Sequence, residues 1–147
     1  MLKIALYQPD IAGNVGTIIR SCACFNSELH IIEPCGFPFD MHRVKKSALD
    51  YIEHVKIHRH ASFEDFFQNE ITTKKQRLIL ASTKGSVSYK EFTFEEDDIL
   101  MLGRESAGVP DDVANKSNHR ILIPMKNNMR SLNVAISCGI ILSAACD

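Results

Sequence analysis

Apolar positions along this chain fall into short unbroken runs separated by longer stretches of helical spacing. The runs at Leu2 to Tyr7, Glu28 to Glu33, Arg77 to Thr83, Asp98 to Gly103 and Ile121 to Met125 lack polar alternation. That pattern predicts strands buried on both faces, the mark of a parallel sheet. A polar-edged run from His54 to Arg59 predicts one more strand. Between the first two runs, Val15, Ile18, Ile19, Cys22 and Phe25 recur at helical spacing, with Asn14 placed to cap that helix. Asp40 to Tyr51 predicts a second helix, with Val44, Ala48 and Leu49 available to a core. Ser62 with Asp65 forms a capping pattern that opens a short helix to Phe67, and Glu70 to Gln76 reads as a surface loop. The last strand leads through a polar loop, Lys126 to Arg130, into an apolar helix, Val134 to Ala145, for which Ser131 is the expected cap. Strands alternating with helices throughout predict an α/β fold, a mainly parallel sheet with helices on both faces, forming one domain over residues 1–147.

Composition narrows the class without changing that picture. With 45% hydrophobic and 24% charged residues, the chain is neither disordered nor fibrous. The formal charge of −1 excludes a strongly basic packaging protein, so any nucleic-acid contact must be local. One local basic cluster exists, His42, Arg43, Lys45 and Lys46; it reads either as a solvated helix face or as a patch that meets RNA phosphate. Five cysteines, odd in number and without a paired C-x-x-C pattern, predict neither a disulfide framework nor a metal centre, and fit a reducing compartment. The amino terminus resembles a first strand and not a signal peptide, and no apolar run approaches the ~20 residues of a membrane span, so the expected location is the cytoplasm, with no membrane partner.

Candidate chemistry gathers where strands end. Ala81 to Gly85, Gly103 to Gly108 and Ile123 to Ser131 each follow a predicted strand, and ligands of open α/β sheets bind at that edge. Neither G-x-x-x-x-G-K-[ST] nor a G-x-G-x-x-G after the first strand occurs, which argues against ATP and NAD. A phosphate-free cofactor held by main-chain groups over an apolar floor fits better, and S-adenosylmethionine is the common one of that kind.

Three motifs in order, Asn14-x-Gly16-x-x-x-Arg20, Gly103-x-Glu105-x-x-Gly108, and Ile123-Pro124-Met125 followed by Arg130-Ser131-Leu132-Asn133, resemble the signatures of the SPOUT methyltransferases, in particular the SpoU-like 2'-O-ribose branch. The opening Leu6-Tyr7-Gln8-Pro9-Asp10-Ile11, the His30 to Phe37 block and Ala48 to Tyr51 are similar to the minimal TrmL-like subgroup, which methylates the wobble nucleotide of tRNA, cytidine or uridine 34, in leucine isoacceptors. The resemblance implies a carboxyl-terminal trefoil knot, a homodimer, and S-adenosylmethionine held by Ala81, Gly103, Glu105, Gly108, Ile123, Met125 and Ser131. It implies catalytic roles for Arg20, Asn14, Ser131 and Asn133, and RNA contacts from Arg43, Lys45, Lys46 and Arg130. Arg20 reads either as the base or as a group that binds phosphate and developing alkoxide, and Glu105 either as a site residue or as half of a structural salt bridge. Another tRNA position, ribosomal RNA, or a non-catalytic knotted RNA-binding dimer are the other readings. Three departures stand out: Ala12-Gly13 lacks the proline-rich form of relatives, Ser143 replaces a common tyrosine, and the sequence stops at Asp147 where relatives carry an aromatic-bearing tail.

Overall fold

The computed structural model describes residues 1–85, 87–129 and 131–146, with residue 47 described by its backbone alone. The strands are β1 (Lys3–Tyr7), β2 (Leu29–Ile32), β3 (Ile57–His60), β4 (Leu78–Ala81), β5 (Val87–Ser88), β6 (Ile99–Leu102) and β7 (His119–Leu122). They form one sheet in the order β3-β2-β1-β6-β4-β7-β5, and every neighbouring pair is parallel. All residues of β1, β2 and β6 are buried, as their unbroken apolar runs require.

Successive side chains of a strand point to opposite faces, and the core divides accordingly. Ile4, Leu6, Leu29, Ile31, Leu100 and Leu102 face a layer made by α1 (Ala12–Cys24), α2 (Met41–Ala48) and α5 (Val134–Ala145), through Val15, Ile18, Ile19, Val44, Cys138 and Ile141. Ala5, Tyr7, Ile32, Ile99 and Met101 face the opposite layer, where α3 (Phe63–Phe66) and α4 (Asp111–Asn115) supply Phe63, Phe66 and Val113. Each large side chain so buried contributes about 1.5–3 kcal/mol. Cys22 and Cys138 are buried as small apolar groups, and burial pushes the Cys22 thiol up to about 12.

Several boundaries differ from those expected. Helix α1 begins at Ala12, with Ile11 at its cap and no side-chain cap bond, so Asn14 lies inside the helix with its side chain free for other partners. Helix α2 stops at Ala48, and Leu49–His54 continues as 3-10 turns, which delays β3 to Ile57. The strand expected to run to Met125 leaves the sheet at Leu122; Pro124, lacking an N–H, would have nothing to donate to a ladder. The stretch expected as a loop from Glu70 begins as a wide helical turn, Phe67–Thr72, because Ile71 is drawn into the core and Glu70 is buried beside it. The two-residue edge strand β5 was too short to leave a pattern.

One ion pair stands out energetically. The Asp98 carboxylate is only 1% exposed and accepts from Arg77 Nε at 2.8 Å, from Arg77 Nη2 at 2.6 Å and from the Glu95 amide at 2.8 Å. Removing one partner of such a pair strands the other charge, so Arg77→Met should destabilise the fold by about 3 kcal/mol, read as a lower urea midpoint at unchanged slope.

Candidate active site

Strands β6, β4 and β7 are adjacent, so the loops at their carboxyl ends share one crevice. A cavity of about 530 Å³ opens there, lined by Ala81, Gly103, Glu105, Gly108, Ile123, Met125 and Ser131, the residues expected to hold the cofactor. Its floor is apolar, with Leu80, Leu102, Leu122 and Ile141, and its rim carries Lys84, Arg104 and Arg120.

The loop after β6 is tightly braced. The Arg104 amide donates to the Gly108 carbonyl at 3.0 Å and the Gly108 amide returns a bond to the Arg104 carbonyl at 2.8 Å. The Arg104 guanidinium adds a bond from Nε to the Gly108 carbonyl at 3.0 Å and lies 5.5 Å from the Tyr7 ring centre. A side chain on Gly103 would come within 2.8 Å of the Gly108 backbone, so residue 103 must be glycine for the loop to close. Gly108 adopts φ +62, the left-handed region that favours glycine, but a Cβ there would meet nothing within 4 Å. The two glycines therefore serve loop closure and backbone conformation, and not only access for a ligand.

Asp10, which the sequence did not single out, anchors that loop from outside. Its carboxylate accepts from the Ser106 hydroxyl at 2.5 Å, the Glu105 amide at 3.3 Å and the Ser106 amide at 3.4 Å. The Ser106 hydroxyl bond, with the two amides behind it, holds this carboxyl below the ordinary carboxylate range. An acidic residue placed directly between the first strand and its helix was the available signal.

Asn14, Glu105 and Asn133 meet at one point, although each comes from a different part of the chain. Glu105 accepts from Asn14 Nδ2 and from the Val134 amide at 3.2 Å, while Asn133 Nδ2 donates to Asn14 Oδ1 at 3.2 Å. Asn133 also caps α5, its Oδ1 accepting from the amides of Ala135 at 2.8 Å and Ile136 at 3.3 Å. The cap is thus Asn133 and not Ser131; Ser131 stays exposed and lines the cavity. Glu105 has no basic partner among the described residues and acts there as a hydrogen-bond hub.

Arg20 is not brought to the cavity. It lies about 9 Å along α1 from Asn14, exposed to solvent, with its guanidinium 4.8 Å over the Tyr51 ring. Arg43, Lys45 and Lys46 are exposed on α2, beside which Tyr51 follows in the 3-10 turns. Arg130 lies outside the described residues. Ile11, Leu132 and Ile136 are exposed apolar side chains at 46%, 39% and 54%, flanking Asn14 and Asn133 in the chain.

The cavity's size lies within the range of cofactor sites, about 300–1,000 Å³, and its glycine-braced loop over an apolar floor suits a ligand gripped by main-chain groups. These residues fit S-adenosylmethionine.

Comparison with known proteins adds four findings. The family model described as SpoU rRNA Methylase matches residues 1–143. A tRNA (cytidine(34)-2'-O)-methyltransferase of Beijerinckia indica subsp. indica is 48% identical over 142 residues, covering 97% of this chain and 88% of its own. A solved structure described as giving insights into the 2-OH methylation of C/U34 on tRNA matches with a TM-score of 0.92 at 36% identity, over 99% of this chain and 93% of that one. An AdoMet-bound rRNA methyltransferase from Sinorhizobium meliloti matches with a TM-score of 0.84 at 28% identity, over 98% of this chain and 55% of that one.

Proposed function

The chain belongs to the SpoU methylase family, and from that premise we propose that it is an S-adenosylmethionine-dependent tRNA 2'-O-methyltransferase acting on the wobble nucleotide, cytidine or uridine 34. The observation that carries this reading is the meeting of Asn14, Glu105 and Asn133 beside a glycine-braced cavity, in a chain similar nearly end to end to enzymes named for that reaction. Leucine isoacceptors are the proposed substrates, the cytoplasm the proposed location, and a trefoil knot the proposed closure of the carboxyl-terminal loops.

S-adenosylmethionine, when bound, supplies an electrophilic methyl group. What remains for the protein is to align a ribose 2'-hydroxyl and to let its proton leave as the C–O bond forms. Ala81, Gly103, Gly108, Ile123, Met125 and Ser131 would hold the cofactor within the cavity they line. Glu105, bonded to α1 through Asn14 and to the first amide of α5, fixes both helices against the loop that lines the cavity. Asn14 and Asn133 orient the hydroxyl, with Ser131 beside them. Arg20 binds the flanking phosphate and stabilises the developing alkoxide, a role that uses a protonated guanidinium.

The protein acts as a homodimer whose sites draw on both subunits, and this accounts for Arg20 standing outside its own chain's cavity. The exposed Ile11, Leu132 and Ile136 supply apolar surface for that interface. Incubation with labelled S-adenosylmethionine and bulk tRNA, followed by digestion and position mapping, tests the activity: label at the wobble ribose is expected, and label at another position or none would overturn the assignment.

The α2 cluster carries its own test. Arg43, Lys45 and Lys46 have no ion-pair partner among the described residues, so they are free to meet phosphate. Replacing Lys45 and Lys46 together by alanine should weaken tRNA binding and reduce the slope of log K against log salt by roughly 2, about one per lost phosphate contact. An unchanged slope returns the cluster to a solvated helix face.

A further inference from the structure

Three histidines lie together on β2 and β3, toward the sheet edge remote from β4 and β7, and none of them lines the cofactor cavity. His30 stacks on His58 at 4.6 Å and on His60 at 5.2 Å between ring centres, with Phe66 edge-on to both His30 and His60. His30 Nδ1 faces His60 Nε2 at 2.9 Å. Glu70, on the wide turn after α3, presents Oε1 to His30 Nδ1 at 4.0 Å, while its Oε2 accepts from Lys74 at 2.8 Å. His30, His60 and Glu70 are 1%, 8% and 5% exposed, and one ligand atom from each lies within 4.8 Å of the others.

We propose that His30, His60 and Glu70 form a binding site for a divalent transition-metal ion, with zinc the best match, separate from the methyl-transfer cavity. Two imidazoles and one carboxylate are a donor set that zinc takes with a fourth position left to water. Bonds of 2.0–2.2 Å in a tetrahedron place ligand atoms about 3.4 Å apart. The close His30–His60 pair must therefore open by about half an ångström, and the Glu70 oxygen must approach His30 by about 0.6 Å and His60 by up to about 1.4 Å, within the reach of side-chain rotation. His30 Nδ1 and His60 Nε2 share one proton at 2.9 Å, and an ion displaces it as the donating imidazole moves its proton to the other ring nitrogen. Burial pushes both imidazoles below the ordinary histidine range, which leaves them neutral. Burial works to raise the Glu70 carboxyl, but the hydrogen bond and the charge of Lys74 outweigh it and hold the group below the ordinary glutamate range. Lys74 is 52% exposed and can turn to solvent when an ion takes its place beside the carboxylate. His58 does not compete, since its Nε2 bonds Glu28 Oε1 at 2.8 Å. The ion would tie β2, β3 and the turn after α3 together, bracing the fold and taking no part in methyl transfer.

The test uses the full chain stripped of metal with a chelator, then titrated with Zn²⁺ by calorimetry and with Co²⁺ by absorption. One ion per chain is expected, with visible ligand-field bands, no thiolate charge-transfer band, and a melting temperature that rises with Zn²⁺ concentration. Glu70→Gln and His60→Gln, which preserve size, should each weaken binding at least about tenfold and remove the dependence of melting on Zn²⁺. Absence of binding in the wild type overturns the proposal. So does a thiolate band, which would place the ion on cysteine, and so does affinity unchanged in both variants. Should either variant fail to fold, the wild-type stoichiometry and cobalt spectrum decide alone.

Discussion

Arg20→Ala should reduce methyl transfer by about 10²–10⁴-fold while leaving S-adenosylmethionine affinity unchanged in a calorimetric titration. The separation of the two effects follows from position. Arg20 stands exposed over Tyr51 and takes no part in lining the cavity, whereas the loops after β4, β6 and β7 line the cavity proposed for the cofactor. In the proposed mechanism, removing its guanidinium takes away a charge that acts when the hydroxyl proton leaves, but no group that lines the cavity. Arg20→Lys keeps a positive charge without the planar fork, so it should recover only part of the rate. A loss of cofactor affinity in Arg20→Ala would instead place this side chain in the cofactor site and remove its assignment to the RNA and the reacting oxygen.

What the sequence made legible was the part written in local patterns. Strands buried on both faces leave unbroken apolar runs, and those at Lys3–Tyr7, Leu29–Ile32, Leu78–Ala81 and Ile99–Leu102 lie within the runs expected of them. Strand-end loops that carry glycine marked the cavity, and its expected lining residues line it. The errors share a cause. A polar residue before an apolar stretch usually caps a helix, and by that local rule Asn14 and Ser131 read as caps. The Asn14 side chain is instead engaged by Glu105, 91 positions away, and the capping duty of α5 falls to Asn133, which also reaches Asn14. No window of ten residues contains the Asn14–Glu105 or the Asn133–Asn14 bond. Glu70 misled in the same way: a glutamate in a polar stretch reads as surface, yet it is buried opposite His30, a partner from another strand. Asp10 was missed because its role exists only once Ser106 stands beside it.

Gly103→Ala should abolish cofactor binding, whereas Gly108→Ala should only weaken it, and the pair together test how the loop is built. A methyl group on residue 103 would sit 2.8 Å from the Gly108 carbonyl carbon and 2.9 Å from its Cα. That backbone cannot yield without breaking the reciprocal bonds between Arg104 and Gly108, so the cavity wall itself must shift. At residue 108 the methyl has open space and meets only the conformational cost of a positive φ, roughly 1–2 kcal/mol for an L-residue. Equal losses in the two variants would show that the glycines act alike, by admitting the ligand. The same variant then decides where Arg20 works. In a mixed dimer, a subunit with Arg20→Ala keeps an intact cavity and a subunit with Gly103→Ala keeps its arginine. If each arginine serves the partner's cavity, mixing two inactive proteins restores one working site per mixed dimer, and activity should return to about a quarter of wild type when subunits exchange at random. If each arginine serves its own cavity, every site in the mixture has one broken half and the mixture stays inactive.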